Sequence, residues 1–560
     1  MRGGRHSAPG RPAATRWPIL ALAALVALGT LGAYALSSDE PQEQASGARV
    51  RGMRPCDVPV EVLERVWRGY TPQRSGDVLT VEWAPNQFGG VRHSTPWPYT
   101  QDVPLLLYGP GYIRRGATSS RPVTVADIAP TFAELLRFED FPRRDGRVLD
   151  EALLPRSERN GVPRLIFTLV WDGGGDNLLR RWPHAWPNLR RLTDRSTVYE
   201  DAAVGSSPSI TPAIHATLGT GVFPARHGQP DMEIRIGDEL RFVWQGASPQ
   251  YLETKTLADL WDAARGNAPL VGVMARDTYH LGMIGHGAFL PEGDHDVAVF
   301  DDLAGTSFRT NEDFYSLPEY LRNSDGLEEA IDAVDLRDGK ADRRWLGNRL
   351  VIDDPFLRYT PVWPIYQSDR LADVLEGEGF GSDEIPDLFF TNYKGTDLAG
   401  HYWNLVEPEE EAVLREQDRQ LEVLLGLLDR LVGRGNYVLA LTADHGISPY
   451  PRVTGGWAIE GGEVTSDIER RFDDDGDERS LILSNRGYQI FLHKGQMRRN
   501  GVTPEDISAF LRDYRVEDNV TSTNKLLPRF ANRTQERLFL TALTPGELKA
   551  ALACARGAQG

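Results

Sequence analysis

The stretch YVLALTADHG, residues 437–446, decides the fold class. Its first six residues are a nearly continuous apolar run, which is typical of a parallel strand buried on both faces of a sheet. The run leads directly into Asp444 and His445. Because ligands gather at the carboxyl ends of strands in open α/β sheets, we expect this strand to deliver both side chains to a functional site.

Two further segments repeat this arrangement of a buried strand followed by polar residues. Residues 164–170 form an apolar run that ends at Trp171-Asp172, and Leu388 to Asn392 is followed by a loop with Asp397. Helical patterns occur among these strands, over residues 187–195, 212–220 and 409–432. The recurrence of strand, loop and helix predicts an α/β protein with a doubly wound, mostly parallel sheet and an inserted cap region.

Length and charge limit the classes of function. A chain of 560 residues has room for one large α/β catalytic domain with insertions, or for two to three smaller domains. The net charge of −18, from 62 basic and 80 acidic residues, argues against nucleic-acid binding through a basic face. A small phosphate ester remains compatible with this charge, because bound metals supply local positive charge.

The N-terminus has the pattern of a membrane anchor. Four arginines precede an apolar run from Trp17 to Leu36, and about 20 apolar residues suffice to span a bilayer. The basic flank should stay in the cytoplasm, which predicts a single-pass protein of the cell membrane with its catalytic domain extracytoplasmic. A cleaved signal ending near Ala33-Tyr34-Ala35, and hence secretion, is the alternative, and a buried soluble helix is the third reading.

We predict seven segments along the chain. They are a basic cytoplasmic flank (1–16), a transmembrane anchor or signal (17–36), a tether (37–53), an N-terminal block of the catalytic domain (54–155), a core part with a nucleophile (156–229), a cap or insert region that also holds sheet elements (230–375), and a core part with metal ligands (376–560). His280, His286 and His295 of the cap region are candidates for substrate contact. The two cysteines, Cys56 and Cys554, form either a disulfide or two unrelated thiols.

The polar residues after the strands have the chemistry of a two-metal hydrolase. Asp397 and His401 are four apart, and Asp444 and His445 are adjacent, so the chain offers oxygen and nitrogen donors rather than thiolates. Together with Asp172 and the hydroxyl of Thr211 they predict two bound divalent metals and a covalent nucleophile. His215 and His227 are predicted to be structural.

These motifs resemble the alkaline phosphatase superfamily, and in particular its type I phosphodiesterase/nucleotide pyrophosphatase branch. The resemblance covers roughly residues 55–230 and 385–545. The motifs that carry it are Val170-Trp171-Asp172-Gly173, Thr211 with His215 and Thr220-Gly221, Pro224 with His227-Gly228, Asp397-xxx-His401, and Ala443-Asp444-His445-Gly446. Five such motifs in the family's order make the resemblance specific.

The resemblance implies a role for each matched residue. One metal would be held by Asp172, Thr211, Asp444 and His445, and the other by Asp397, His401 and a third histidine. Thr211 would attack phosphorus and form a phosphothreonine intermediate. The metals would be zinc, with manganese or iron as alternatives. The substrate would be a small phosphate ester, a phosphodiester rather than a monoester, with an inactive surface binding protein as a further alternative.

The third histidine is out of the family's usual order. In the family it follows the Asp-His pair, but after His445 this chain has only His493, in a segment that reads as a strand. The block that normally ends a family member resembles residues 74–131 instead, which implies a circular permutation with His93 as the ligand. Permutation would also bring Cys56 and Cys554 together, which favours a disulfide between them.

The substrate is less well defined by the motifs. Nucleotide pyrophosphatases usually have Asn before the His that follows the nucleophile, whereas this chain has Ile214. Lys394 is a candidate substitute contact to the phosphate, with a solvated loop lysine as the alternative. The segment Thr211-Pro212-Ala213-Ile214-His215 has neither a convertible Cys or Ser at the nucleophile position nor the Arg of a sulfatase, which argues against a sulfatase. The sequence leaves the oligomeric state open.

Overall fold

The largest sheet of the protein is built from buried parallel strands, as the apolar runs predict. The computed structural model describes residues 49–90, 93–301, 307–322, 325–352, 354–522 and 524–558. The described residues from 52 onward belong to one compact unit; residues 49–51 belong to a separate unit and are helical.

The described strands are, in chain order, β1 (Val78–Glu82), β2 (Gln87–Phe88), β3 (Leu105–Tyr108), β4 (Ala117–Ser119), β5 (Val123–Thr124), β6 (Leu165–Trp171), β7 (Thr197–Tyr199), β8 (Ala202–Ala203), β9 (Glu233–Ile236), β10 (Glu239–Phe242), β11 (Val271–Ala275), β12 (Asp296–Asp301), β13 (Phe308–Arg309), β14 (Tyr315–Ser316), β15 (Arg344–Trp345), β16 (Asn348–Arg349), β17 (Asp387–Tyr393), β18 (Tyr437–Thr442), β19 (Ala458–Ile459), β20 (Ile482–Asn485), β21 (Gln489–Leu492) and β22 (Phe539–Leu543).

The described α-helices are α1 (Val60–Gly69), α2 (Pro98–Gln101), α3 (Ile128–Leu135), α4 (Asp176–Arg181), α5 (Pro187–Thr193), α6 (Thr211–Thr220), α7 (Pro224–His227), α8 (Leu257–Ala264), α9 (Leu327–Asp335), α10 (Val362–Glu378), α11 (Gly395–Trp403), α12 (Pro408–Leu428), α13 (Pro451–Thr454), α14 (Gly461–Phe472), α15 (Lys494–Asn500), α16 (Pro504–Asp513) and α17 (Pro545–Ala558).

The main sheet has the strand order β13-β12-β11-β17-β6-β18-β3-β7-β4, with β14 paired to β12. Its centre, β12-β11-β17-β6-β18, is parallel throughout. All seven residues of β6 are buried, and they alternate between the cores on the two faces of the sheet. The predicted fold class, a doubly wound and mostly parallel sheet, is therefore confirmed. The strands β11 and β12 show that residues 230–375 contribute to the sheet itself.

The parallel centre brings the ends of β6, β17 and β18 to one edge of the sheet. Residue pairs Val170 with Asn392 and Val170 with Thr442 fix this alignment. Strand β3 runs antiparallel to β18 and pairs Leu105 with Thr442, so the segment that leads into β3 lies at the same edge. The N-terminal block thus reaches the edge where the predicted site residues follow the parallel strands.

A second, four-stranded sheet joins the two ends of the described chain. Its order is β20-β21-β1-β22, so β1 of the N-terminal block lies between two strands from the last hundred residues. Cys56 and Cys554 form a disulfide with a Cα–Cα distance of 5.4 Å, which is in the ordinary range. The predicted disulfide is confirmed. It links the turn before α1 to α17, which pack together on one face of this sheet.

The prediction of a membrane location needs correction. In the part of the chain that the structure describes, no helix is both long and apolar enough to cross a membrane. The longest described helix, α12, has three glutamates in its first turn. The predicted location at the cell membrane is contradicted by this finding. The proposed span 17–36, with its flank and most of the tether, lies outside the described residues.

Candidate active site

Thr211 is the first residue of a fully buried helix. All ten residues of α6 are buried, and Thr211 itself is 3% exposed. A helix N-terminus combines free backbone N–H groups with a partial positive charge, and both favour a bound anion. The Lys394 ammonium donates to the Thr211 hydroxyl, with Nζ 3.3 Å from Oγ1. The hydroxyl predicted to be the nucleophile therefore faces a cationic environment.

The loop before α6 holds His93 in a defined orientation. His93 Nδ1 lies 2.9 Å from the Ser209 carbonyl oxygen, and the Ser209 hydroxyl donates to the His93 carbonyl. Since Nδ1 must carry the proton to donate, Nε2 keeps a free lone pair. Burial and the neighbouring His445 lower the pKa of His93 well below its ordinary value. His93 is thus a neutral imidazole, which is the form that binds metals.

Asp172 follows β6 directly and uses its two oxygens differently. Oδ2 accepts hydrogen bonds from Lys394 Nζ (2.6 Å), Asn392 Nδ2 (3.0 Å) and His280 Nε2 (3.4 Å). Oδ1 has no hydrogen-bond partner among the described residues and lies 3.4 Å from His445 Nε2. Burial raises the pKa of Asp172, but Lys394 and His280 outweigh it, so the pKa is lowered and the carboxylate is ionised.

Asp444 and His445 follow β18, and both are fully buried. Asp444 Oδ1 accepts a hydrogen bond from the Gly173 N–H at 3.2 Å. Asp444 Oδ2 and His445 Nε2 lie 3.5 Å apart, and neither has a hydrogen-bond partner within the described ranges. The His445 ring stacks on the His93 ring, with the centroids 3.6 Å apart. His445 therefore lies between the two predicted sets of ligands.

Helix α11 presents Asp397 and His401 on one face, because residues four apart are neighbours on a helix. Asp397 Oδ1 lies 3.2 Å from His401 Nε2 and 3.9 Å from the Nε2 atoms of both His93 and His445. Burial raises the pKa of Asp397, but Lys394 and His401 lower it well below its ordinary value. The His401 side chain is 40% exposed, so it marks the side of the cluster that is open to solvent.

Lys394 lies at the centre of the cluster. Its Nζ is 2.6 Å from Asp172 Oδ2 and 3.1 Å from Asp397 Oδ2, and its side chain is 7% exposed. Burial lowers the pKa of Lys394, but the charges of Asp172 and Asp397 raise it above its ordinary value. Lys394 is therefore a permanent cation held by two carboxylates beside Thr211. This buried position excludes the alternative of a solvated loop lysine.

Asn392, which the sequence motifs do not single out, and His215, which they predict to be structural, also contact the cluster. Asn392 donates to Asp172 and lies 3.2 Å from His215 Nε2, while His215 Nδ1 donates to the Thr211 carbonyl at 2.8 Å. Asn392 is the penultimate residue of β17, and its register beside β6 is the signal that locates it. One ring nitrogen of His215, one ring nitrogen of His280 and one carboxylate oxygen of Asp172 also lie within 4.8 Å of one another.

The three histidines of residues 230–375 differ in their surroundings. His280 Nδ1 donates to the Asp277 carbonyl at 2.8 Å, and Nε2 faces Asp172. Burial lowers the pKa of His280, but Asp277 and Asp172 raise it to about 9, so the ring is an imidazolium. His286 is bonded to Asp259 at 2.8 Å, and His295 is exposed. Of the three, His280 contacts the predicted site.

The remaining histidines with predicted roles lie in helix and loop contacts. His227 Nε2 is 3.1 Å from the Thr217 hydroxyl, and its Nδ1 accepts from the Gln229 N–H. His493 caps α15 by accepting from the backbone N–H groups of Gly495 and Gln496. His227 thus uses both ring nitrogens, and His493 uses Nδ1, in local contacts of the fold.

The cluster fits divalent metals. Around a tetrahedral zinc at about 2.0–2.2 Å, neighbouring donors are roughly 3.3–3.6 Å apart. The separations of His445 Nε2 from Asp172 Oδ1 (3.4 Å) and Asp444 Oδ2 (3.5 Å), and of His401 Nε2 from Asp397 Oδ1 (3.2 Å), are close to this spacing. Four buried ligand atoms in this set have no hydrogen-bond partner among the described residues. Oxygen and nitrogen donors without thiolate suit zinc, manganese or iron.

Comparison with known proteins shows the family to which this chain belongs. The family model described as "Type I phosphodiesterase / nucleotide pyrophosphatase" matches residues 166–521, more than half of the chain. The alkaline phosphatase PafA of Elizabethkingia meningoseptica is 22% identical over 428 residues, which is 66% of this chain and 76% of the relative. The alkaline phosphatase PhoV of Synechococcus elongatus is 31% identical over 337 residues, 52% of this chain and 60% of the relative.

A solved structure shares the fold. The crystal structure of wild-type alkaline phosphatase PafA superimposes with a TM-score of 0.50 and 17% identity, over 64% of this chain and 76% of that one. The matched family region contains β6, β17 and β18, which deliver the clustered acids and histidines. This chain belongs to the type I phosphodiesterase/nucleotide pyrophosphatase family of the alkaline phosphatase superfamily, and it is a phosphoric ester hydrolase.

Proposed function

We propose that the enzyme hydrolyses phosphodiesters through a phosphothreonine intermediate on Thr211, with two divalent metals held beside it. The observation that carries this proposal is the set of buried donor atoms without hydrogen-bond partners, on Asp172, Asp444 and His445, next to a hydroxyl at a helix N-terminus. Buried polar atoms are rarely left unsatisfied in folded proteins unless something else binds them.

The proposed ligands divide between two metals. Asp172, Thr211, Asp444 and His445 would hold one, and Asp397, His401 and His93 the other. Zinc is the proposed metal, with manganese or iron as alternatives. When bound, such metals lower the pKa of a coordinated hydroxyl and neutralise charge on phosphoryl oxygens.

The residues of the chain act on the substrate in a defined order. Thr211 Oγ1 gives up its proton and bonds to phosphorus while the bond from phosphorus to the leaving-group oxygen breaks, and that oxygen departs as an alcohol; a water then displaces Thr211 from phosphorus and releases a phosphomonoester. The N-terminus of α6 and the Lys394 ammonium stabilise the anionic phosphoryl group. His280 and Asn392 donate to Asp172 Oδ2 and so keep Oδ1 directed at the cluster.

Phosphomonoester hydrolysis is the second candidate, and Lys394 is the observation that favours it. A cation 3.3 Å from the Thr211 hydroxyl would bind the extra negative charge of a dianionic monoester more strongly than a diester. The relatives PafA and PhoV are both titled alkaline phosphatases, whereas the matched family model is named for phosphodiesterases. The ratio of kcat/KM for bis-aryl and mono-aryl phosphates decides between the two.

We also propose that the N-terminal block reached its place by circular permutation. The family match begins at residue 166, yet β3 of the earlier block pairs with β18 and the segment before it supplies His93. Strand β1 pairs with β21 and β22, and a disulfide joins Cys56 to Cys554. These contacts support a block moved from one end of the chain to the other.

Acid quenching of the enzyme during turnover tests the nucleophile. With a bis-aryl phosphate as substrate, we expect peptide mass spectrometry to find the remaining aryl phosphoryl group on Thr211 in the wild type, and neither this adduct nor aryl-phosphate turnover in Thr211→Ala. Thr211→Ser serves as the matched control, because it keeps a hydroxyl and should still be phosphorylated. Turnover by Thr211→Ala at the wild-type rate would contradict the proposal.

A further inference from the structure

Three carboxylates converge at the edge of the main sheet away from the active site. Asp262 lies in the last turn of α8, and Asp294 and Asp296 lead into β12. One carboxylate oxygen from each residue lies within 4.8 Å of the others. Like charges at this distance repel unless a proton or a cation lies between them.

Asp262, one of the three acids, also has a buried oxygen, Oδ1, without a partner. Asp262 is 4% exposed, and Oδ1 finds no hydrogen-bond partner in the described parts of the chain. The cost of burying a polar atom without a partner is about 1–3 kcal/mol, and more for a charged group. The Asp294 side chain is exposed, so the cluster opens to solvent on that side.

The groups around the three carboxylates do not offset the negative charge of these carboxylates. Burial, Asp294 and Asp259 raise the pKa of Asp262 to about 7. Burial and the same acidic neighbours, with Asp262, raise the pKa of Asp296 well above its ordinary value. The nearby His286 is already bonded to Asp259. The cluster therefore has a strong negative potential that a small cation would relieve.

We propose that Asp262, Asp294 and Asp296 bind a calcium ion that is separate from the catalytic metals. Calcium prefers oxygen ligands at about 2.3–2.6 Å, so two ligands on opposite sides of the ion lie about 5 Å apart. The spread of the three oxygens fits within this span. A set made of carboxylates alone favours a hard cation over zinc, which prefers nitrogen and sulfur donors.

The calcium site is structural rather than catalytic. Strand β12 runs parallel to β11, β17 and β6, and Asp296 is its first residue, whereas Asp172 follows the last residue of β6. The two sites are thus at opposite edges of the sheet, roughly 20 Å apart for a six-residue strand. A cation here ties the C-terminal turn of α8 to the start of β12 and stabilises residues 257–301.

Terbium luminescence tests the site on the full chain with zinc already supplied to the active site. Terbium replaces calcium, and Trp261 next to Asp262 can sensitise its emission. We expect wild-type enzyme to show emission that calcium displaces, and the Asp262→Asn/Asp294→Asn variant to lose it. Asp474→Asn, on an exposed acidic loop, is the matched control and should behave as the wild type.

Stability and activity complete the test. We expect calcium to raise the Tm of the wild type and of Asp474→Asn but not the Tm of the double variant. Hydrolysis of an aryl phosphate by the zinc-loaded double variant would show that this variant is folded. Should the double variant not fold, the exposed Asp294→Asn replaces it in the same measurements. Calcium-displaceable emission of equal strength in the variant, or its absence from the wild type, would overturn the proposal.

Discussion

Replacing Lys394 by Met should destabilise the metal-free enzyme and strengthen its metal binding. The ammonium is 2.6 Å from Asp172 Oδ2 and 3.1 Å from Asp397 Oδ2. Methionine has a similar length but no charge, so the two buried carboxylates lose the cation that offsets them. The proposed metals, when bound, would take over this role.

The magnitude follows from the two distances. At an effective dielectric constant of about 20, each charge pair attracts by roughly 5–6 kcal/mol before the cost of desolvation. Removing one partner of a buried ion pair typically costs about 3–5 kcal/mol, and the 7% exposure of Lys394 places it in this class. A metal present at a thousand times its Kd stabilises the folded protein by about 4 kcal/mol, which is enough to offset the loss of the ammonium.

Denaturant unfolding with and without metal measures both effects. We expect Lys394→Met to lose about 3–5 kcal/mol relative to the wild type after chelation, and much less with excess zinc. Zinc titration should give a lower Kd for the variant, because the competing ammonium is gone. Lys494→Met, at an exposed position, is the control and should change neither quantity. A metal-free Lys394→Met as stable as the wild type, or one that binds zinc more weakly, would refute the reasoning.

Three further predictions concern residues around the cluster and in the second sheet. Burial raises the pKa of Glu82 from 4.5 to about 7, so the protonated side chain stabilises the fold at low pH and this stability is lost as the pH rises through about 7. In urea titrations at several pH values, the free energy of unfolding of Glu82→Gln should fall by about 3 kcal/mol less than that of the wild type over this range. His280→Ala should lower kcat/KM by about 10–100-fold, since it orients Asp172, and an unchanged rate would rule this role out. Cys554→Ser should cost about 2–5 kcal/mol of unfolding free energy by freeing the Cys56 bridge, and the cost should equal that of reduction in wild-type enzyme.

The sheet follows from local features of the sequence, and so it is well predicted. The predicted strand Tyr437–Thr442 matches β18 residue for residue, because an apolar run and the polar residues that end it are properties of one segment. The helix predicted over 409–432 is observed as α12 with similar bounds. Because the three strands are parallel neighbours, Asp172, Asp397 and Asp444 then lie at one edge of the sheet.

The rest of the site depends on contacts between distant segments. Asn392 and His280 reach Asp172 through the registers of β17 and β11, which no local pattern encodes. Lys394 lies in a loop that reads as polar, and only the fold shows that it is enclosed by two carboxylates. Residues 230–375 have many Asp, Arg, Gly and aromatic residues around their strands, so the sequence predicts sheet elements there but not that β11 and β12 lie in the main sheet.

The metal content of His93→Ala tests the central claim most directly, because His93 comes from the N-terminal block and lies 3.9 Å from Asp397 Oδ1. Elemental analysis of zinc-saturated, desalted protein should give about two metals per chain for the wild type and for the exposed control His184→Ala. It should give about one for His93→Ala, with most aryl-phosphate hydrolysis lost. Two metals and full activity in His93→Ala would contradict the two-metal site described by these residues.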